Sequence, residues 1–264
     1  MRLSLRAPAW LLCSLCLLAG CIPQRTSTYR PPAHPPTAPD EFGKEPTPGA
    51  RRGPEAFDET KVAPENQAAR ALGLPADARR CYDRLWHGGV TFELVKRHAD
   101  GVGMPIRVTS PIGGVWVQPA NGNRVNAVMD CRLAIRLLSW APSLREYGVR
   151  TLEHYSAYRP NATIEGSDKP SAHASALAID LAKLHLDNGD VLDVLTDWEG
   201  RSRGKPPCPM RRDEGWASRT LRSLVCDAID RHLFQVVLTP HHDKAHQNHV
   251  HLELRPQDGW TFIR

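Results

Sequence analysis

The sequence predicts an α+β domain over residues 80–264, with a mostly antiparallel central sheet flanked by helices and stapled by two disulfides. Three observations predict it. Short apolar runs recur with turn residues between them, two longer segments carry helical spacing, and four cysteines fall within the foldable region. About 185 residues are enough for one well-buried core.

Ahead of that domain, residues 1–20 read as a lipoprotein signal peptide. Arg2 and Arg6 precede a short apolar run over 9–19, a secretory pattern too short for a comfortable membrane span. The run ends in Leu18-Ala19-Gly20-Cys21, which resembles a bacterial lipobox and makes Cys21 the expected lipidation site. Residue 22 is Ile rather than Asp. By resemblance to lipoprotein sorting in Gram-negative bacteria, that points to the periplasmic face of the outer membrane. The alternative is an ordinary signal peptide with an incidental cysteine. Residues 21–79 read as a lipid-anchored tether: 11 of the chain's 23 prolines lie between Pro23 and Pro75, and no hydrophobic period is sustained. A short helical turn is expected over 68–72.

Within the domain, 106–108 and 114–118 read as short strands separated by Ser110, Pro111 and Gly113. Residues 126–147 read as a helix, with Met129, Leu133, Leu137 and Leu144 at helical spacing and Gly148 as its stop. Residues 152–157 form a strand candidate. Residues 177–181 alternate as a strand does, Asp187-Asn188-Gly189-Asp190 supplies a hairpin turn, and 191–195 returns. A calcium loop at that turn lacks the following ligands. Residues 216–232 form a second amphipathic helix, and strands over 234–238 and 249–254 close the domain.

Cysteine usage agrees with export. Cys81, Cys131, Cys208 and Cys226 remain after the signal peptide and Cys21 are set aside, and an even number in an oxidising compartment implies two disulfides. Of three possible pairings, Cys81–Cys131 with Cys208–Cys226 is favoured because each would staple one half of the domain. No pair has the close spacing of a four-cysteine zinc cluster.

The chemistry lies in two histidine patches. In Ser171-Ala172-His173-Ala174-Ser175-Ala176-Leu177-Ala178-Ile179-Asp180, a loop histidine precedes a strand aspartate by seven positions. In His246-Gln247-Asn248-His249-Val250-His251-Leu252-Glu253-Leu254, strand periodicity puts His249, His251 and Glu253 on one face and the apolar residues on the other. Nitrogen and carboxylate ligands suit zinc, and a catalytic zinc site takes three protein ligands. His173, Asp180 and one histidine of the second patch would supply them.

His-x6-Asp followed by His-x-His resembles the zinc peptidase group of lysostaphin-type endopeptidases and D-alanyl-D-alanine carboxypeptidases, whose fold the hedgehog signalling domain shares. More closely, the chain resembles bacterial extensin-like C-terminal domain proteins over about residues 80–256. Gly113-Gly114-Val115, Cys131-Arg132-Leu133-Ala134, Ser156-Ala157-Tyr158-Arg159-Pro160 and the two histidine patches carry that resemblance. It implies a hedgehog-like peptidase fold, with His173, Asp180 and His251 as ligands to Zn2+. It implies His249 and His246 as catalytic histidines and Arg159 as the residue that binds a substrate carboxylate or carbonyl. Two departures stand out. Ala176 occupies a position where many relatives carry Gly, with the methyl group expected to fit a strand. Asn248 stands where carboxypeptidase-type relatives place an acidic residue, so proton transfer falls to His249 or His246. Asp243 and Glu253 are carboxylate alternatives, the first for orienting a histidine, the second for pairing with an arginine.

The expected function is a zinc-dependent peptidase that cleaves peptidoglycan stem peptides or crosslinks, anchored to the membrane through lipid and acting as a monomer. The alternatives are an inactive zinc-containing module that binds peptidoglycan or a protein, and a structural disulfide domain with surface histidines. Tyr155, Tyr158 and Trp198 are candidates either for the groove or for the core. A net charge of +5, scattered along the chain, argues against nucleic acid as the ligand.

Overall fold

In a computed structural model, the described residues are 75–264, apart from 96, 98, 201, 202, 209, 211, 212 and 256–259. The signal peptide, Cys21 and the expected turn over 68–72 lie outside them, as does the tether up to residue 74. The last residues assigned to the tether are helical. Helix α1 spans Ala76–His87 behind Pro75, with Ala78, Tyr82 and Leu85 buried on one face. A stripe of three buried residues among charged ones was hidden by the polar composition.

Strands β1 (Phe92–Leu94), β2 (Pro105–Val108) and β4 (Met129–Asp130) make a three-stranded antiparallel sheet in the order β1-β2-β4. Strand β3 (Trp116–Pro119) belongs instead to the main sheet. The pairing of Met129–Asp130 with β2 explains why helix α2 runs over Cys131–Glu146 and does not begin at 126. Asp130 is its N-cap, accepting from the Arg132 N–H, which satisfies a donor the helix start leaves open. Gly148, at φ +78°, then carries the left-handed turn that a side chain would strain.

The main sheet comprises β5 (Val149–His154), β6 (Ala178–Leu186), β7 (Val191–Asp193), β8 (Val236–Leu238), β9 (Val250–Glu253), β10 (Phe262–Ile263) and β3. Its order is β10-β8-β9-β6-β5-β3, with β7 also paired to β6. The interior pairings are antiparallel, but the two outer ones, β3 with β5 and β10 with β8, are parallel. The sheet is therefore mixed. Parallel neighbours need a crossover, and the chain from β3 to β5 supplies one through α2. Such a pairing leaves no local turn signature, which is why the sequence pattern predicts a mostly antiparallel sheet without locating its parallel edges.

Several expected boundaries move. The strand expected over 152–157 ends at His154, since Tyr155 turns aside to donate its N–H to the Asp180 carbonyl. β6 extends five residues past 181 and forms the expected hairpin with β7 through the 187–190 turn. The return strand stops at Asp193 because that side chain caps a short helix, α3 (Val194–Asp197). Helix α4 spans Trp216–Asp230. Strands β1 and β10 are too short to show a period of two.

The core lies between α2, α4 and one face of the sheet. Trp140, Trp198 and Phe234 are among its largest fully buried side chains, and the Trp140 indole N–H donates to the Leu224 carbonyl across the two helices. Disulfides join Cys81 to Cys131 and Cys208 to Cys226. The first ties α1 to the start of α2, and the second ties Cys208 to α4. Among the described residues, no helix is long and apolar enough to cross a membrane.

Candidate metal centre

Register places two of the three expected ligands. Asp180 on β6 sits directly opposite His251 on β9, and cross-strand partners put their side chains on the same face. The third, His173, comes from a short 3-10 turn over Ala172–Ser175, capped by Ser171. Ala176 then adopts φ +53° in the left-handed region and turns the chain into β6. It is therefore not a strand residue as expected. The positive φ, which glycine adopts without strain, accounts for the glycine expected at this position.

The three inward atoms converge. His173 Nε2 lies 3.0 Å from Asp180 Oδ1 and 3.2 Å from His251 Nδ1, which is itself 3.0 Å from Asp180 Oδ1. A tetrahedral ion with bonds of about 2.0–2.1 Å has ligand–ligand edges slightly above 3 Å, so these atoms form one face of such a site. The outward nitrogens have acceptors. His173 Nδ1 donates to the Ala157 carbonyl at 3.1 Å, and His251 Nε2 donates to Glu253 Oε2 at 2.9 Å. Protons on the outer nitrogens leave lone pairs facing inward, the arrangement that metal-binding histidines use. All three residues are buried, and their donor atoms form a possible metal-holding group.

Electrostatics fit that assignment. Burial opposes ionisation of Asp180, but the adjoining imidazoles of His173 and His251 outweigh it and hold the carboxyl well below its usual range. Burial likewise opposes protonation of His251, yet Asp180 and Glu253 raise its pKa to about 9. Without metal, the pair thus stores a proton between two carboxylates. Burial, partly offset by Asp180, lowers His173.

The remaining expected residues gather at the same place. His249 Nδ1 donates to Asn248 Oδ1 at 2.9 Å, which leaves Nε2 unprotonated and 3.5 Å from Asp180 Oδ1. Burial lowers the His249 pKa to about 4, so its imidazole is neutral near pH 7. The His246 ring stands 5.0 Å from that of His249, and its Nδ1 donates to Asp243 Oδ1 at 2.7 Å. Arg159 is half exposed, with Nη1 3.6 Å from Asp180 Oδ2. Tyr155 faces His249 edge to face at 6.0 Å, whereas Tyr158 and Trp198 are buried in the core. The two carboxylate alternatives are engaged: Asp243 with His246, and Glu253 with His251 and Arg255.

Sequence reasoning missed two features. Asn248 was read for the carboxylate it replaces, while its hydrogen bond sets the His249 tautomer. His154 is fully buried at the end of β5, with no hydrogen-bond partner for either ring nitrogen among the described residues, and burial lowers its pKa to about 4. A lone histidine outside both patches carried no sequence signal.

Residues 79–264 match the family model described as Extensin-like protein C-terminus. Searches of curated proteins and of solved structures returned no match.

Proposed function

We propose that this chain, which belongs to the extensin-like C-terminal family, is a zinc-dependent peptidase acting on peptidoglycan stem peptides or crosslinks. The observation that carries the reading is the convergence of His173 Nε2, Asp180 Oδ1 and His251 Nδ1 beside a neutral His249. Kinship with lysostaphin-type endopeptidases, D-alanyl-D-alanine carboxypeptidases and the hedgehog fold belongs to the same reading. So do lipid attachment at Cys21, residence at the cell envelope and action as a monomer.

His173, Asp180 and His251 would hold the zinc ion. A zinc ion so held supplies Lewis acidity toward a scissile carbonyl and lowers the pKa of water. His249, its Nδ1 fixed by Asn248, presents a free Nε2 to take the proton from the attacking water and return it to the leaving amine. His246, oriented by Asp243, lies next to it, on the side where charge would develop on the carbonyl oxygen. The Arg159 guanidinium is half exposed above Asp180 and suits a peptide carboxylate or carbonyl. Tyr155 packs edge to face on His249 beside this group.

A second reading is an inactive zinc-containing module that binds peptidoglycan or a protein. Its support is that Asp243 and Glu253 are both committed to neighbouring side chains, so histidine alone is left to handle protons. Metal analysis and sacculus digestion separate the two. The peptidase reading expects about one zinc per chain and released muropeptides. Asp180→Ala should lose both, and His249→Ala should keep the zinc and lose the products. Full activity in Asp180→Ala would overturn the ligand assignment. Zinc without products in the native chain would favour the binding module.

A further inference from the structure

The histidines do not end at the buried centre. Strand β8 ends at Leu238, and the turn that follows carries His242 and Asp243, with His246 three residues on. His242 Nε2 lies 3.2 Å from Asp243 Oδ2, and His246 Nδ1 lies 2.7 Å from Asp243 Oδ1. One ligand atom from each of the three falls within 4.8 Å of the others. Their side chains are 29%, 43% and 18% exposed, so an ion reaches them from solvent without any opening of the core.

We propose that His242, Asp243 and His246 form a second site, for a divalent transition-metal ion, at the rim of the buried centre. Two imidazoles and one carboxylate make a donor set suited to zinc, cobalt or nickel and poorly suited to magnesium or calcium. The site is held in place before any ion arrives. The His242 N–H donates to the Thr239 carbonyl at 2.8 Å, and the His242 ring packs edge to face on Phe262 at 5.9 Å. The Asp243 carboxylate is fixed by the His246 N–H at 3.0 Å, while Arg203 donates to the carbonyls of Pro240 and Asp243.

Burial lowers the His242 pKa; Asp243 opposes the shift, and His246, Arg264 and Arg203 add to it. Burial of Asp243 is outweighed by the hydrogen bonds of His246, which hold it ionised. The same two arginines oppose a cation, and the site is more exposed than the first, so its affinity is the lower of the two. On the peptidase reading, and resting on it, a filled rim site draws His246 away from Asp243. Hydrolysis then declines as the second equivalent binds.

The test is equilibrium dialysis of the full chain against Zn2+ and, separately, Co2+ near neutral pH, with bound metal counted per chain. The native chain should bind a tight equivalent and a weaker one. His242→Ala and Asp243→Asn should each lose the weaker and keep the tight one, which also reports that the fold survives. Asp180→Ala should lose the tight one and keep the weaker. Saturation of the native chain at one equivalent that both rim variants keep, or a second equivalent unchanged in both rim variants, would overturn the proposal. If the native chain binds one equivalent that Asp180→Ala keeps and both rim variants lose, the rim site stands and the buried zinc centre falls.

Discussion

Replacing Glu253 tests the buried centre through a residue that touches no metal. Its Oε2 accepts from His251 Nε2 at 2.9 Å, and both side chains are at least nine-tenths buried. A hydrogen bond with an ionised partner contributes about 1.5–3 kcal/mol. At about 1.4 kcal/mol per decade, its loss should weaken zinc binding about 10- to 100-fold. Glu253→Gln keeps an acceptor and belongs at the lower end; Glu253→Ala belongs at the upper end. The pH dependence adds a second readout. Asp180 and Glu253 overcome burial and hold His251 at a pKa of about 9, so below that pH the metal must displace a proton. Native affinity should therefore fall about tenfold per pH unit of acidification. Without Glu253 the pKa of His251 drops and proton competition ends at a lower pH. Native and variant curves should then lie far apart near pH 9 and draw together toward acid. Competition against a fluorescent zinc chelator at several pH values measures both effects. Equal Kd values near pH 9 in the native chain and Glu253→Ala, or a native affinity independent of pH, would refute the reasoning.

Other outcomes follow from the same geometry. His154 has a folded pKa of about 4 against 6.5 for the free side chain, so the unfolded chain binds more protons between those values. Its share of stability is whole above pH 6.5 and is lost as pH falls toward 4, by about 3 kcal/mol in all; His154→Phe should flatten that part of the denaturation profile measured against pH. Ala176→Gly should change stability by less than about 1 kcal/mol, because relief at φ +53° is offset by a lost buried methyl and a more flexible unfolded chain. Ala176→Val should destabilise by more than about 2 kcal/mol, since it adds bulk and branching to a buried left-handed residue, and urea melts would register either change. Replacing Cys81 and Cys131 together by Ser should cost up to about 4 kcal/mol, the loop entropy for a separation of 50 residues, read from the same melts.

Sequence by itself determined the local features. Helical spacing from Leu133 to Leu144 marked α2, the Asp187–Asp190 turn marked the β6–β7 hairpin, and the two histidine patches named the residues that meet at the centre. Each is a pattern within one segment, where backbone period and turn chemistry fix which side chains share a face. Tertiary structure decided the rest. The Asp180–His251 register joins strands 71 residues apart. The left-handed turn at Ala176 aims His173, and the Ala157 carbonyl, Asn248 and Glu253 choose which nitrogen of each histidine carries its proton. The parallel edges of the sheet also arise from chain crossovers, and the meaning of His154 comes only from burial. A proton on an imidazole, or an ion between three side chains, depends on distances of about 3 Å between distant parts of the chain. Composition and period constrain what one segment does, and those distances exist only once the segments have packed.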